Sequence, residues 1–285
     1  LFYDGMCDVV DEDWDNLIIL DGCRFDLFEE VLDEQTGTLE YRISKGPSTP
    51  EFLEANFSGR DLSDTVYVTA NPQYVNRDLE NNFHKVIPVW KTEWDDQRNT
   101  VPPDAVYNAA KSASETYPNK RLLVHFMQPH YPFIGDTAEK VNSHAGFELS
   151  RREALGDEPS REYATIWEQL EDGNVSRDLV WTAYRENLKI ALPYAKKVVE
   201  HCNGKSVITS DHGNLLGEFN FRHLSNQYGH PNDVYSTDLL KIPWFVYPSS
   251  SRKEYKKEDQ ESIGEDVHDT ETVRERLRHL GYTDQ

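Results

Sequence analysis

An α/β fold, with a mostly parallel sheet sandwiched by helices, is predicted by three features of the sequence. Short β-branched or apolar runs alternate with longer amphipathic stretches. The short runs are apolar almost throughout, as strands buried on both faces are. Several of them stop abruptly at an acidic residue or a histidine. In open α/β sheets, sites collect outside the carboxyl ends of the strands.

The elements follow in order. Asn16-Leu17-Ile18-Ile19-Leu20 is the first strand and runs into Asp21. The loop Ser44-Lys45-Gly46-Pro47-Ser48-Thr49-Pro50-Glu51-Phe52 turns at Gly and Pro and opens a helix. Residues 65–69 form the second strand, and Arg121 to Phe126 form another that is followed by Pro129-His130-Tyr131-Pro132. The clearest helix covers 177–202. Ser176 caps it, and Tyr184, Leu188, Ala191, Ala195, Val198 and Cys202 recur at helical spacing. Pro193 should kink this helix and Gly204 should follow its end. Val207-Ile208-Thr209-Ser210 is a strand that stops at Asp211-His212-Gly213, and 242–247 is the last strand. A C-terminal helix at about 272–281 repeats apolar residues at Val273, Leu277 and Leu280. The polar stretch 144–174 reads as an insertion and the charged stretch 249–269 as loosely ordered. No repeat or linker interrupts the pattern, so the expectation is one catalytic domain over 1–285.

Charge narrows the function classes. With 51 acidic and 30 basic residues the net charge is −21. Such a chain is a poor ligand for nucleic acid and is repelled by anionic membranes. Carboxylates spread over a whole folded chain suit a salt-rich cytoplasm, where screening relieves self-repulsion. Three cysteines, Cys7, Cys23 and Cys202, give no disulfide framework. No apolar run is long enough to span a membrane, and no signal segment is visible. The expected location is therefore the cytoplasm, that of a halophile.

The residues able to do chemistry sit at the strand ends. Asp21, His130, Asp211 and His212 lie where one site could gather them, and Asp with His suits a divalent cation such as zinc or manganese. Each also has an ordinary reading: an Asp after a strand often closes a turn, and a lone His is often structural. Thr49 and Ser48 bring hydroxyls to a helix N-terminus, where backbone N–H groups attract anions. A metal there could activate one of them as a nucleophile, whereas a simple cap would leave it inert. Tyr131, Phe133, Trp90 and Trp94 either line a substrate pocket or pack in the core.

Taken together, these segments resemble the alkaline phosphatase superfamily, and its sulfatase-like branch most closely. Ile18-Ile19-Leu20-Asp21-Gly22-Cys23-Arg24-Phe25-Asp26 looks like that family's first strand with its metal-binding Asp. Thr209-Ser210-Asp211-His212-Gly213 with Leu216-Gly217-Glu218 looks like its late Asp-His pair. His125 to Pro132 is similar to its Pro-His-x-Pro segment, and Tyr228-Gly229-His230 before Ile242-Pro243 to its last active-site His. The resemblance covers 17–246 and implies an alkaline phosphatase/sulfatase-like core. It further implies at least one divalent ion (Zn, Mn, Mg or Ca) on Asp21, Thr49, Asp211 and His212. Thr49 would be the nucleophile, with Ser48 as the alternative, and His130 and His230 would serve the substrate, the leaving group or a second metal. The implied activity is a metal-dependent hydrolase or transferase of phosphate esters, on a small-molecule, glycan or lipid substrate, through a covalent hydroxyl intermediate. The alternatives are a sulfuric ester hydrolase and an inactive binding or scaffold protein. The C/S-x-P/A-x-R sequence that matures into the sulfatase aldehyde is absent, as is the Asp with a His four residues later that marks two-metal members.

Overall fold

Leu17, Ile18, Ile19 and Leu20 are all fully buried, as expected of a strand covered on both faces. The structure is a computed structural model that describes residues 5–33, 36–141, 165–232, 234–257 and 270–280. In chain order its strands are β1 (Asn16–Leu20), β2 (Thr38–Ile43), β3 (Leu62–Thr69), β4 (Phe83–Pro88), β5 (Arg121–Phe126), β6 (Ser206–Thr209), β7 (Leu215–Asn220), β8 (Ser225–Gly229) and β9 (Lys241–Tyr247). Seven of them form one sheet in the order β2-β9-β6-β1-β5-β3-β4, and β7 and β8 form a separate hairpin. The run β6-β1-β5-β3-β4 is parallel throughout. Only β9 runs against its neighbours, pairing antiparallel with both β6 and β2. The predicted mostly parallel α/β sheet is therefore present. The apolar run at β9, read as one more parallel strand, is buried because it lies second from the edge, not because a crossover places it in parallel.

Helices cover the sheet. The helix Arg177–His201 is capped by the Ser176 side chain, which accepts from Leu179 N at 3.2 Å, and continues without interruption through Pro193. It buries Tyr184, Leu188, Ala191, Ala195 and Val198 against β1, β6 and the helix Pro103–Thr116. The helix Thr49–Phe57 packs through Phe57, whose ring lies 5.5 Å from Phe83 and 6.4 Å from Tyr67.

Two expectations about disorder shift. Part of the polar stretch 144–174 is structured. Thr165 makes a capping box with Glu168, and the helix Ile166–Glu171 buries Ile166, Trp167 and Leu170. It packs on the β7–β8 hairpin. Residues 142–164 lie outside the described residues. Residues 249–257 carry no regular structure but are tied down. Arg252 pairs with Asp13 and Asp15, and Lys253 Nζ donates to Asn16 Oδ1 at 2.7 Å. The C-terminal helix, Thr270–His279, buries Val273 and Leu277, as their spacing predicts.

Candidate active site

The site is built on the carboxyl ends of the parallel strands. Asp21 follows β1, Asp211 and His212 follow β6, and His130 follows β5. Thr49 arrives from the side as the first residue of its helix.

The loop after β1 is held from several directions. Gly22 N donates to Asp211 Oδ1 at 2.9 Å, Cys23 N to Ser210 Oγ at 2.8 Å, and Arg24 N to Tyr184 Oη at 3.2 Å. Gly22 has φ +60, and a Cβ there would meet Asn214 Nδ2 at 2.6 Å, so glycine is required on both counts. Gly213 is needed for close approach, because a Cβ would fall 2.0 Å from the carbonyl of Asp238. Ser44 Oγ donates to the Asp211 carbonyl, which ties the loop before the helix Thr49–Phe57 to the end of β6.

The buried Arg24 guanidinium clamps this loop to the hairpin base and to the helix Thr237–Leu240. It pairs with Asp26 at 2.7 Å, Glu218 at 2.8 Å and Asp238 at 3.0 Å, and lies over the Trp181 ring. Burial acts to raise Asp26 and Glu218, but the Arg24 hydrogen bonds outweigh it and hold both below their ordinary values of 3.8 and 4.5. Arg24→Ala should cost roughly 2 kcal/mol, discounted because the carboxylates are partly solvated. Because the folded values are depressed, this contribution is complete above the ordinary values and is lost as pH falls through the folded ones. Denaturant melts of both proteins should therefore differ at pH 7 and converge in acid.

At the centre, Thr49 Oγ1 lies 2.7 Å from Asp211 Oδ2, 3.1 Å from His212 Nε2 and 3.3 Å from Asp21 Oδ2. Thr49, Asp21, Asp211 and His212 are all fully buried. His212 Nδ1 faces the Gly213 carbonyl at 2.7 Å and must donate to it, which leaves Nε2 as a bare lone pair turned toward Thr49 and the carboxylates. Ligand atoms of Asp21, Asp211 and His212 lie within 4.8 Å of one another. Asp21 Oδ1 has no hydrogen-bond partner, and no lysine or arginine pairs with either carboxylate among the described residues. Two buried carboxylates and a bare imidazole nitrogen converging without a cation is the donor set of a divalent metal.

Two side chains not predicted as site residues complete this centre. Asn71 Nδ2 donates to Asp21 Oδ2 at 2.7 Å. His125, on β5, places Nε2 3.4 Å from the same oxygen, while Tyr67 Oη holds its Nδ1 at 2.9 Å. Burial acts to raise the Asp21 carboxyl, and the neighbouring imidazoles, His125 foremost, hold it well below the usual carboxylate range.

His130 and His230 form a second group. Their Nε2 atoms lie 2.9 Å apart. His130 Nδ1 donates to its neighbour's carbonyl, Tyr131 O, at 2.6 Å, so its Nε2 is the acceptor of the pair. Burial pushes His130 down, and burial with the adjacent His212 and His130 pushes His230 well down, so both are neutral at pH 7. The His230 ring is 4.8 Å from that of His212, and Trp167 stands edge-on to His130 at 6.3 Å. His230 is half-buried, so it is the most open of these groups.

Thus the structure brings together every residue expected at the site. Ser48 sits beside it, but its hydroxyl makes no hydrogen bond. Of the four aromatics considered for a pocket, only Tyr131 adjoins it. Phe133 packs in the core near Tyr184, and Trp90 and Trp94 lie under Arg276 of the C-terminal helix. Cys23, next to Asp21, is fully buried and its thiol is pushed well above its ordinary range, by burial first and then by Asp26 and Asp211. It is not a thiolate nucleophile.

No protein-family profile and no curated protein matches the sequence. Solved structures do share its fold. The integral membrane lipooligosaccharide phosphoethanolamine transferase A from Neisseria meningitidis superposes with a TM-score of 0.54 at 12% identity, over 82% of this chain and 47% of that one. The C-terminal periplasmic domain of EcEptC from Escherichia coli, in complex with Zn, aligns at 14% identity over 86% of this chain and 75% of that one, with a TM-score of 0.48. A protein in the alkaline phosphatase superfamily from Vibrio parahaemolyticus aligns at 12% identity over 84% and 60%, with a TM-score of 0.43. The chain spans about half the length of the first of these, 47%. At such identities the likeness shows the fold alone, a mixed α/β core shared with the phosphoethanolamine transferase.

Proposed function

We propose that this chain is a metal-dependent hydrolase or transferase of phosphate esters with Thr49 as its nucleophile. The observation that carries the reading is the placement of Thr49 Oγ1 against Asp211, His212 and Asp21. Capping does not explain it, since Ser48 is the N-cap residue and makes no side-chain cap bond. A divalent ion (Zn, Mn, Mg or Ca) held by Asp21, Asp211, His212 and Thr49 would lower the pKa of the hydroxyl and supply positive charge near the transferred group.

The chain's own residues do the rest. The helix N-terminus at Thr49 favours the negative charge of a phosphoryl group. Asp211 Oδ2 accepts the Thr49 proton as Oγ1 forms a bond to phosphorus. The bond from phosphorus to the leaving oxygen breaks, and that oxygen takes its proton from solvent. Water or an acceptor alcohol then attacks phosphorus and loses its proton to solvent, the bond from phosphorus to Oγ1 breaks, and Asp211 returns its proton to Oγ1. Asn71 and His125 keep Asp21 ionised and oriented. Substrates of this reading are small-molecule, glycan or lipid phosphate esters, and a fold shared with a phosphoethanolamine transferase is in keeping with transfer to an alcohol. Sulfate-ester hydrolysis through a matured aldehyde has no residue to carry it. The acidic composition is our sole ground for a salt-rich cytoplasm, and it makes molar salt the condition for assay.

The decisive experiment is an acid quench during turnover of an aryl phosphate with Zn or Mn at molar salt, followed by peptide mapping. A phosphate on Thr49 is expected. Product formed with no phosphopeptide at any quench time would remove the covalent route.

A further inference from the structure

We infer that the β7–β8 hairpin is an anchor for a lipid bilayer surface, whose tip dips into the interfacial layer and holds the site above the headgroups. Phe221 is 85% exposed, Leu224 75% and Phe219 52%, and they stand together at one turn. The Phe219 and Phe221 rings meet edge to face at 5.1 Å, outside the core. The turn is shaped by Asn220 Oδ1, which accepts from Arg222 N at 2.9 Å and His223 N at 3.3 Å. Leu224 has φ +53, a region where glycine is cheaper. A strained position that keeps a large apolar side chain in solvent needs a partner for that side chain.

Charge says which partner. In a chain with 51 acidic residues, 219–232 contain no carboxylate, and the tip carries Arg222 beside His223. Apolar side chains beside the Arg222 guanidinium match the acyl boundary and the phosphate oxygens of a lipid surface. The net charge of −21 over the whole chain, none of its carboxylates lying in 219–232, keeps the body off an anionic surface and leaves the hairpin as the contact point. A second copy of the chain fits less well. The three side chains offer on the order of a few hundred Å², short of the ~800 Å² per partner of a stable interface.

The hairpin also leads to the site. β8 runs from the tip to Gly229, with His230 next. Five residues at ~3.3 Å each span about 16 Å. A tip buried ~5–10 Å by an upright hairpin would leave His230 about 6–11 Å above the boundary it enters. The anchor rests on the hairpin and not on the Thr49 reading. Where both hold, the substrate is a phosphate ester presented at a lipid surface.

The test is flotation of the full chain with vesicles of phosphatidylcholine and phosphatidylglycerol in equal parts, at low and at molar salt. The wild-type chain should float, and the Phe221→Ser/Leu224→Gly double variant should partition about a hundredfold less. Leu224→Gly alone should keep or raise the thermal midpoint, which separates lost binding from misfolding. Turnover of a soluble aryl phosphate should be unchanged in all three. A wild-type chain that stays soluble at both salts, or a double variant that floats equally well, would overturn the anchor. So would a dimer seen by sedimentation for the wild-type chain and lost in the double variant, because the occupant would then be a second copy. A chain that floats without turnover keeps the anchor and removes the Thr49 reading.

Discussion

Thr49→Ala should lower turnover of an aryl phosphate by about four orders of magnitude or more, in a protein that still folds but is less stable by about 1–3 kcal/mol. The hydroxyl is fully buried against two carboxylates and an imidazole nitrogen, and its loss takes the donor from Asp211 Oδ2. The methyl group of alanine fits the same space, and the helix keeps Ser48 as its N-cap residue. Thr49→Ser should retain measurable turnover because it keeps an oxygen on the same backbone. Ser48→Ala should be close to neutral, since the Ser48 hydroxyl has no partner to leave stranded. Steady-state rates of the three variants decide the nucleophile. Full activity in Thr49→Ala, or a collapse confined to Ser48→Ala, would reassign it.

Asp211→Asn should abolish turnover and metal binding while raising the stability of the metal-free protein, by about 1 kcal/mol or more. The asparagine oxygen can still accept from Gly22 N, and its NH2 group can donate to Thr49 Oγ1 in place of the lost acceptor. The like charge facing Asp21 is gone, and with it the repulsion that a bound cation would otherwise offset. The wild-type chain should therefore melt higher when Zn or Mn is added, by about 2.7 kcal/mol at a hundredfold excess over Kd, and Asp211→Asn should not respond. Differential scanning fluorimetry with and without chelator reads both effects. A variant that melts lower than the metal-free parent would show that the two carboxylates do not strain the empty centre.

Much of this centre was legible because strand ends are. Buried parallel strands announce themselves as unbroken apolar runs, and a polar residue at the point where the run stops is conspicuous. Asp21, His130 and Asp211-His212 were found that way. The same rule applied to 65–69 would have found Asn71, two residues beyond Thr69. His125 escaped for the opposite reason. It lies inside β5, where a histidine among Leu122, Leu123, Val124 and Phe126 reads as a core residue, and only the pairing of β5 with β1 and β3 shows what it faces. The missed strands are those that need not be apolar. β2 and β4 are the edges of the sheet, and the β7–β8 hairpin is largely solvated. The ordered helix at Ile166–Glu171 was hidden by the polar run before it, although Ile166, Trp167 and Leu170 already formed a short apolar face.

The position of β1 governs how the molecule is made. Asn16 pairs with Leu122 on one side and with Ser206 on the other, so β1 is completed only by β6, some 190 residues later. Its native contacts have high sequence separation, which slows folding and keeps an apolar strand unpaired until late in synthesis. Asp21 and Asp211 meet only when that strand has both neighbours. No N-terminal fragment can assemble the pair, and the nascent chain should acquire metal affinity in a single late step rather than by degrees.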